Sequence, residues 1–423
     1  MRIMIFGSPT TNAIKSLNLD GFFAGAGWVE TIVDVVSKRE NVELAFAFFY
    51  NTKGILKKKV NNCNYYCLKD YNFAKAKINK SVKNEIKYVI DDFKPDIVHV
   101  IGTERPHAKF ILEYVGQDKF VASITGAISI ISNLYLGSIK RNDLKKRTIG
   151  DFLRNRGVLQ QQNQYRKKSN AEKYVIQNSK YIIGRSEFDY SFAKSLNLSL
   201  NYFYVNESLR QAFYDNENTW KLEQAQKNNI LITQANYPIK GLHCLLYAVS
   251  LAKREIPDIT ITITGPDISK KKGLLNRLRF STYGKYIDKL IKMYSLSSCV
   301  KFVGNVSASQ MVLLYQNANV VVVPSIIENK SNTVGEAMII GTPVICSYVG
   351  GMTEMVNNGA NGFAYPFNEP ERLAYCLVKL LNDPKTQLLF SQKSISVSKT
   401  LFSKIEMEKH LFDVYNAIIK NGK

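Results

Sequence analysis

Two carboxylates and one ammonium carry the first chemical signal in this chain. Glu328 and Glu336 stand eight positions apart, between the apolar run Ala318–Val323 and a helix-like stretch closed by Gly341-Thr342-Pro343. Lys240 precedes Gly241, shortly after a second apolar run, Asn229–Thr233. Carboxylates accept hydrogen bonds from hydroxyls. An ammonium and the free backbone N–H groups of a helix start favour phosphate. A sugar nucleotide suits both, with Asn332, Thr333 and Val334 supplying the amides. The structural alternatives are an acid placed favourably in a first helical turn for Glu336 and an ordinary surface lysine for Lys240. Glu328 has no such excuse.

These residues need elements to hold them. Four consecutive valines end the run Ala318–Val323, which reads as a strand buried on both faces. Asn332 or Thr333 caps the helix after it, and Gly341 and Pro343 stop that helix. Glu328 then lies in the loop at the carboxyl end of a strand, the edge where open α/β sheets bind ligands. Further strands are expected at Arg2–Phe6, Val42–Phe49, Asp96–Val100, Val121–Ile124 and Tyr181–Ile183. The second half repeats the pattern at Asn229–Thr233, Ile259–Thr264, Val300–Val303, Val320–Val323 and Val344–Ser347. Strands alternating with helices predict an α/β chain with a doubly wound parallel sheet in each half. The expected division is 1–205 and 206–402, through the polar stretch Asn206–Asn218. A last helix, about 403–421, has no strand after it and is expected to pack back on the first domain.

At 423 residues the chain is long for one core. No apolar run reaches the 18 or so residues that span a bilayer. Met1–Phe6 reads as a strand rather than a signal peptide. Six scattered cysteines suggest reduced thiols and a cytoplasmic location. The net charge of +22 is the unusual quantity. It implies an anionic partner, or else only a solvated basic surface. Two basic segments interleave large apolar residues: Lys140–Lys173, with Phe152, Leu153, Val158 and Leu159, and Lys270–Arg279, with Leu274, Leu275 and Leu278. That mixture suits peripheral contact with an anionic membrane, or a helix with snorkelling side chains. No RNA-binding or zinc-finger spacing accompanies it, so nucleic acid is not an expected partner.

Other residues could approach a ligand. Gly25 and Gly27 lie between the first strand and the first helix, where glycine lets backbone come close to a phosphate or sugar. The complete dinucleotide fingerprint is missing. His107 follows Gly102–Pro106 in an expected loop facing the cleft, whereas His99 is expected beneath a strand end. A satisfied structural histidine is the alternative for His107. No Asp-x-Asp follows an apolar strand, which predicts an enzyme without a metal.

The order strand, Pro324-Ser325, Glu328, Asn332, Gly335-Glu336-Ala337-Met338, Gly341-Thr342-Pro343, strand, Gly350-Gly351 resembles family 4 of the retaining glycosyltransferases. Gly25–Trp28, Pro95–Glu104, Gly184–Asp189, Asn206-Glu207 and Lys240–Leu242 extend the resemblance over nearly the whole chain. It implies the GT-B architecture, two Rossmann-like domains facing a cleft. It implies a nucleotide-sugar donor, with UDP or GDP, as substrate and no cofactor. The implied acceptor is a saccharide or lipid-linked molecule of bacterial surface polysaccharide synthesis, handled at the inner face of the membrane. By the same resemblance Glu328 contacts the donor sugar's hydroxyls, Glu336 the ribose hydroxyls and Lys240 the diphosphate. Two departures stand out. Gln234–Pro238 occupies the place of a second diphosphate cation, for which Arg185 is a candidate, although it could equally pair with Glu187 or Asp189. Thr125 stands near the position of a histidine that touches the donor sugar in many relatives.

Two rivals remain: a sugar-nucleotide epimerase of the same two-domain build, and a non-catalytic basic module that binds nucleotides or nucleic acid.

Overall fold

A computed structural model describes residues 1–20, 27–73, 76–144, 148–154, 157–269 and 281–422. Gly25, the run Lys145–Arg147, Arg156 and the whole second basic segment lie outside the described residues, as do the side chains of Leu153 and Arg154. Two compact units are present. The first comprises Met1–Ser129, Gln164–Ser208 and Phe402–Lys423, and the second Ile130–Asn163 and Leu209–Leu401. The chain therefore passes between units more often than a single boundary near 205 would require.

The first unit holds an eight-stranded sheet in the order β3-β4-β2-β1-β5-β6-β7-β8. Its strands are β1 (Arg2–Gly7), β2 (Glu43–Tyr50), β3 (Leu56–Val60), β4 (Cys63–Lys69), β5 (Ile97–Ile101), β6 (Phe120–Ser123), β7 (Tyr181–Gly184) and β8 (Asn201–Tyr204). All pairings are parallel except β3 with β4. The sequence analysis missed β3, β4 and β8. Residues alternate between the two faces, and both faces are buried. Ile3 and Ile5 belong to one apolar cluster, Met4 and Phe6 to the other. Such two-sided burial is what a parallel sheet requires.

Helices α1 (Thr11–Ser16), α2 (Gly27–Lys38), α3 (Lys80–Phe93), α4 (Pro106–Val115), α5 (Ile128–Leu134), α6 (Ile149–Arg154), α7 (Val158–Asn178) and α8 (Glu187–Leu196) follow in chain order. The last helix of the chain, Lys404–Asn421, adds Met407, Leu411, Phe412, Tyr415 and Ile418 to the first unit's core. His99 on β5 joins it there: Nδ1 is 2.8 Å from Tyr415 Oη, and Nε2 is 2.7 Å from Ser123 Oγ. Burial holds the imidazole neutral, pulled down to about 3.

The second unit holds six parallel strands in the order β11-β10-β9-β12-β13-β14. They are β9 (Asn229–Ile232), β10 (Thr260–Ile263), β11 (Val300–Phe302), β12 (Val320–Val323), β13 (Val344–Ser347) and β14 (Phe363–Tyr365). Numbered within the unit this order is 3-2-1-4-5-6, so the direction of winding reverses between β9 and β12. A crevice opens outside the strand ends at such a reversal. Besides α6, most of α5 and the start of α7, its helices are α9 (Gln211–Tyr214), α10 (Leu242–Ala252), α11 (Thr282–Met293), α12 (Ala308–Asn317), α13 (Asn332–Ile340), α14 (Pro370–Leu381) and α15 (Pro384–Leu401), so the terminal Lys404–Asn421 helix is α16.

Among the described residues no helix is long and apolar enough to cross a membrane. All six cysteines are free and buried.

Candidate active site

The β9–β12 switch point positions the lysine and the first glutamate. After β9 a short 3-10 turn, Pro238–Lys240, leads into α10. After β12 the loop from Pro324 carries Glu328. The two loops are tied by backbone, with Ile326 N–H donating to Ile239 O at 2.8 Å. Gly241 permits this approach. Its φ is +71°, and a Cβ there would stand 1.7 Å from the carbonyl oxygen of Pro324. Only glycine tolerates both conditions. The result brings Lys240 Nζ to 2.7 Å from Glu328 Oε2, while Ser325 Oγ donates to the same oxygen at 3.1 Å. Both partners keep part of their surface open, at 20% and 19% exposure of the side chains.

The second glutamate is held differently. Ser331, not Asn332 or Thr333, caps α13, because its Oγ accepts from Val334 N–H at 3.5 Å. Asn332 and Thr333 are the first two residues inside the helix. Glu336 therefore stands in the second turn, where the helix dipole offers an acid less than it would in the first. Its carboxylate is buried. Arg210 grips it with a fork, Nε to Oε1 and Nη2 to Oε2, each at 2.8 Å. Tyr315 Oη adds a third donor to Oε2 at 3.1 Å. Burial pushes the carboxyl above its usual range, against the pull of Arg210. The Arg210 guanidinium also lies 5.0 Å over the Phe213 ring.

A small pocket joins these parts within the second unit. Thr233, Gln234, Lys240, Pro324, Ser325 and Thr333 line it. Thr233 and Thr333 hydroxyls meet at 2.7 Å, joining the end of β9 to the start of α13. Tyr315 Oη reaches Thr333 O at 3.3 Å as well as Glu336, so the buried carboxylate is one side chain removed from the pocket wall. Lys240, Glu328, Thr333 and the start of α13 are thus assembled at one strand edge. Glu336 lies deeper, with partners of its own.

The remaining expected residues lie in the first unit, and several differ from expectation. His107 is not in a loop facing a cleft. It is the second residue of α4, buried, with Nδ1 2.7 Å from Tyr71 Oη and its ring among Phe6, Phe49 and Phe73. Burial and the Arg105 charge hold it well below the ordinary histidine range. Pro106 starts a helix readily, so what looked like a loop continues into α4. Arg185 is committed too. Its guanidinium pairs with Glu207 and donates to Thr125 O at 2.9 Å, and its backbone N–H donates to Asp189 at 3.0 Å. The ion pair is with Glu207, in the polar stretch after β8. Thr125 Oγ1 donates to Glu104 Oε2 at 3.2 Å. Gly27 opens α2.

Sequence reasoning missed Arg210 and Tyr315. Arg210 lies 126 positions from Glu336 in the polar stretch taken as a domain boundary, and no local spacing connects them.

Comparison with known proteins bears on the family and the fold. Residues 215–396 match the family model of glycosyl transferases, group 1. The matched stretch lies within the second unit. That match takes in Lys240, Glu328 and Glu336 and leaves Arg210 just outside. An uncharacterized glycosyltransferase of Methanocaldococcus jannaschii is 36% identical over 99 residues, 23% of this chain and 25% of that protein. The D-inositol 3-phosphate glycosyltransferase of Corynebacterium glutamicum is 27% identical over 190 residues, 44% of this chain and 42% of that protein. The chain therefore spans less than half the length of these relatives. Among solved structures, the sucrose-phosphate synthase of Thermosynechococcus elongatus superposes with a TM-score of 0.72 at 15% identity, covering 99% of each chain. Anabaena HepE in complex with UDP gives 0.63 at 14% identity, covering 99% of this chain and 100% of that one. Both neighbours have the GT-B build, and the two α/β units with their parallel sheets are of that fold.

Proposed function

We propose that this protein is a retaining glycosyltransferase. It moves a sugar from a nucleotide-sugar donor, with UDP or GDP, to a saccharide or lipid-linked acceptor in cell-surface polysaccharide or glycoconjugate synthesis. The observation that supports this most is the Lys240–Glu328 pair at the β9–β12 reversal, beside the start of α13. In this reading the donor's diphosphate binds at Lys240 and the first amides of α13, without a metal. Glu328 accepts hydrogen bonds from the sugar's hydroxyls, and Glu336 from the ribose hydroxyls. Lys240 is already fixed by Glu328, so it needs little reorganisation when charge gathers on the leaving phosphate. A preorganised cation stabilises that transition state more than the ground state.

During transfer the bond from the anomeric carbon to the phosphate oxygen breaks as the bond to the acceptor oxygen forms on the same face. The acceptor's proton passes to the departing phosphate. The first unit takes the acceptor, and the enzyme works at the cytoplasmic face of an anionic membrane. Ile149 and Phe152 on α6 support that contact, being 72% and 71% exposed within the basic stretch Lys140–Lys173. Asp151 between them turns inward and accepts from Thr282 N–H at 2.7 Å, while Val158 is buried and takes no part in that surface.

The test is a thermal-shift screen against UDP-, GDP- and ADP-sugars. A donor at a hundred times its dissociation constant adds about 2.7 kcal/mol. One responsive nucleotide, unaffected by EDTA, is expected. No response to any of the three overturns the reading.

A further inference from the structure

Glu336 is one of the most heavily engaged carboxylates in the second unit. A carboxylate offers about four acceptor positions, two on each oxygen. Arg210 Nη2 and Tyr315 Oη fill both positions on Oε2, and Arg210 Nε fills one on Oε1. Among the described residues, one acceptor position is left, on Oε1. The Arg210 fork is planar, so it fixes the carboxylate plane and with it the direction of that last lone pair.

Arg210 is itself well anchored. It stands two residues past the end of the first unit at Ser208. Leu209 before it is buried and donates its N–H to Tyr214 Oη at 3.0 Å. Phe213 after it is buried edge-on to Tyr315, with ring centroids 5.7 Å apart. The side chain still keeps 33% of its surface exposed, against 7% for Glu336.

We propose that Arg210 is a positioning residue for the donor: it keeps Glu336 ionised and turned so that Oε1 has one acceptor position for a ribose hydroxyl. This rests on the reading of Glu336 given above. A purely structural pair would neutralise a buried charge and do nothing more. The two differ in how nucleotide binding depends on pH. The elements packed against α13 are α9, α12, α15, β12 and β13. From these, the charged and titratable groups that act on the carboxylate are Arg210, just before α9, and Tyr315 on α12. Burial raises the Glu336 carboxyl and Arg210 lowers it. Without Arg210 the carboxyl rises further and takes up a proton at higher pH. A protonated carboxyl loses acceptor capacity, so nucleotide affinity falls where the carboxylate is lost.

The experiment is calorimetric titration of the full chain with UDP between pH 5 and 9, for wild type, Arg210→Gln and Arg210→Lys. The wild-type affinity is expected to fall as the pH drops. In Arg210→Gln the midpoint of that fall moves up by about one unit or more, the usual effect of losing an adjacent opposite charge. At neutral pH the variant binds about 10–100-fold more weakly, and it recovers as the pH rises. Arg210→Lys keeps the charge but loses the fork, so its midpoint stays near that of wild type with affinity down about tenfold. An Arg210→Gln profile parallel to wild type overturns the inference, whether affinity is unchanged or uniformly lowered. Should that variant not fold, unchanged affinity in Arg210→Lys overturns it as well. A wild-type chain that binds neither UDP, GDP nor ADP overturns the reading of the site itself, and this inference with it.

Discussion

Lys240 and Glu328 lie 88 positions apart in sequence and 2.7 Å apart in space. Their meeting depends on two loops that touch through the Ile239–Ile326 backbone hydrogen bond and the bare Cα of Gly241. The ammonium is therefore fixed before any donor arrives. Replacing Lys240 with Gln should lower kcat by about 10²–10³, the cost of removing one preorganised electrostatic contact. Steady-state kinetics with the responsive donor checks this. An unchanged kcat would remove Lys240 from the chemistry.

Gly241→Ala should be among the most destabilising single changes in the second unit. The new methyl meets the Pro324 carbonyl, and the φ of +71° is strained for alanine. Together these cost about 2–4 kcal/mol. Urea unfolding is the measurement. A loss under 0.5 kcal/mol, about the size of a neutral surface change, would mean the loops do not meet as described.

Glu172 on α7 gives the first unit a pH dependence. It is buried and accepts from Ile128 N–H and Ser129 N–H, each at 2.7 Å, and from Ser129 Oγ at 2.6 Å. Burial outweighs those donors and pushes the carboxyl up from 4.5 to about 7. An acid with a raised folded value binds its proton more tightly when folded. The stability it contributes is complete below the unfolded value and is lost as pH rises through about 7. Glu172→Gln should lower stability, because an amide NH₂ cannot accept from Ser129. It should also flatten the pH dependence between 4.5 and 7. Denaturant melts across that window decide, and an unchanged slope would contradict the assignment.

Ile149 and Phe152 should matter for membrane contact. The wild-type chain should sediment with phosphatidylglycerol vesicles at low salt and release as salt rises, since each basic group near such a surface contributes about 1 kcal/mol. The double variant Ile149→Ser, Phe152→Ser should sediment several-fold less. Equal sedimentation of both proteins would place the contact elsewhere.

Much of the fold was legible because parallel strands buried on both faces read as continuous apolar runs. The run Val320–Val323 and the run Ile3–Phe6 are of this kind. The missed strands lack that mark. Strand β3 is the exposed antiparallel edge, Leu-Lys-Lys-Lys-Val. Strand β8 is a half-exposed edge, and β14 has three residues. Their pairing is fixed by neighbours distant in sequence, not by their own composition. The same limit governed the site. Lys240, Glu328 and Glu336 could be singled out because local elements set each one's position. Arg210 could not, because its role depends on a partner brought near only by folding. His107 misled for the opposite reason: its loop-like setting concealed a helix start whose ring turns into an aromatic cluster.

The central claim is that Glu328 and its neighbours receive a nucleotide sugar for transfer. The most direct measurement is sugar transfer by Glu328→Gln, with nucleotide affinity and thermal unfolding recorded on the same sample. The account predicts a folded protein that still binds the nucleotide, with transfer reduced by at least about a hundredfold. Full transfer activity in that variant would contradict it.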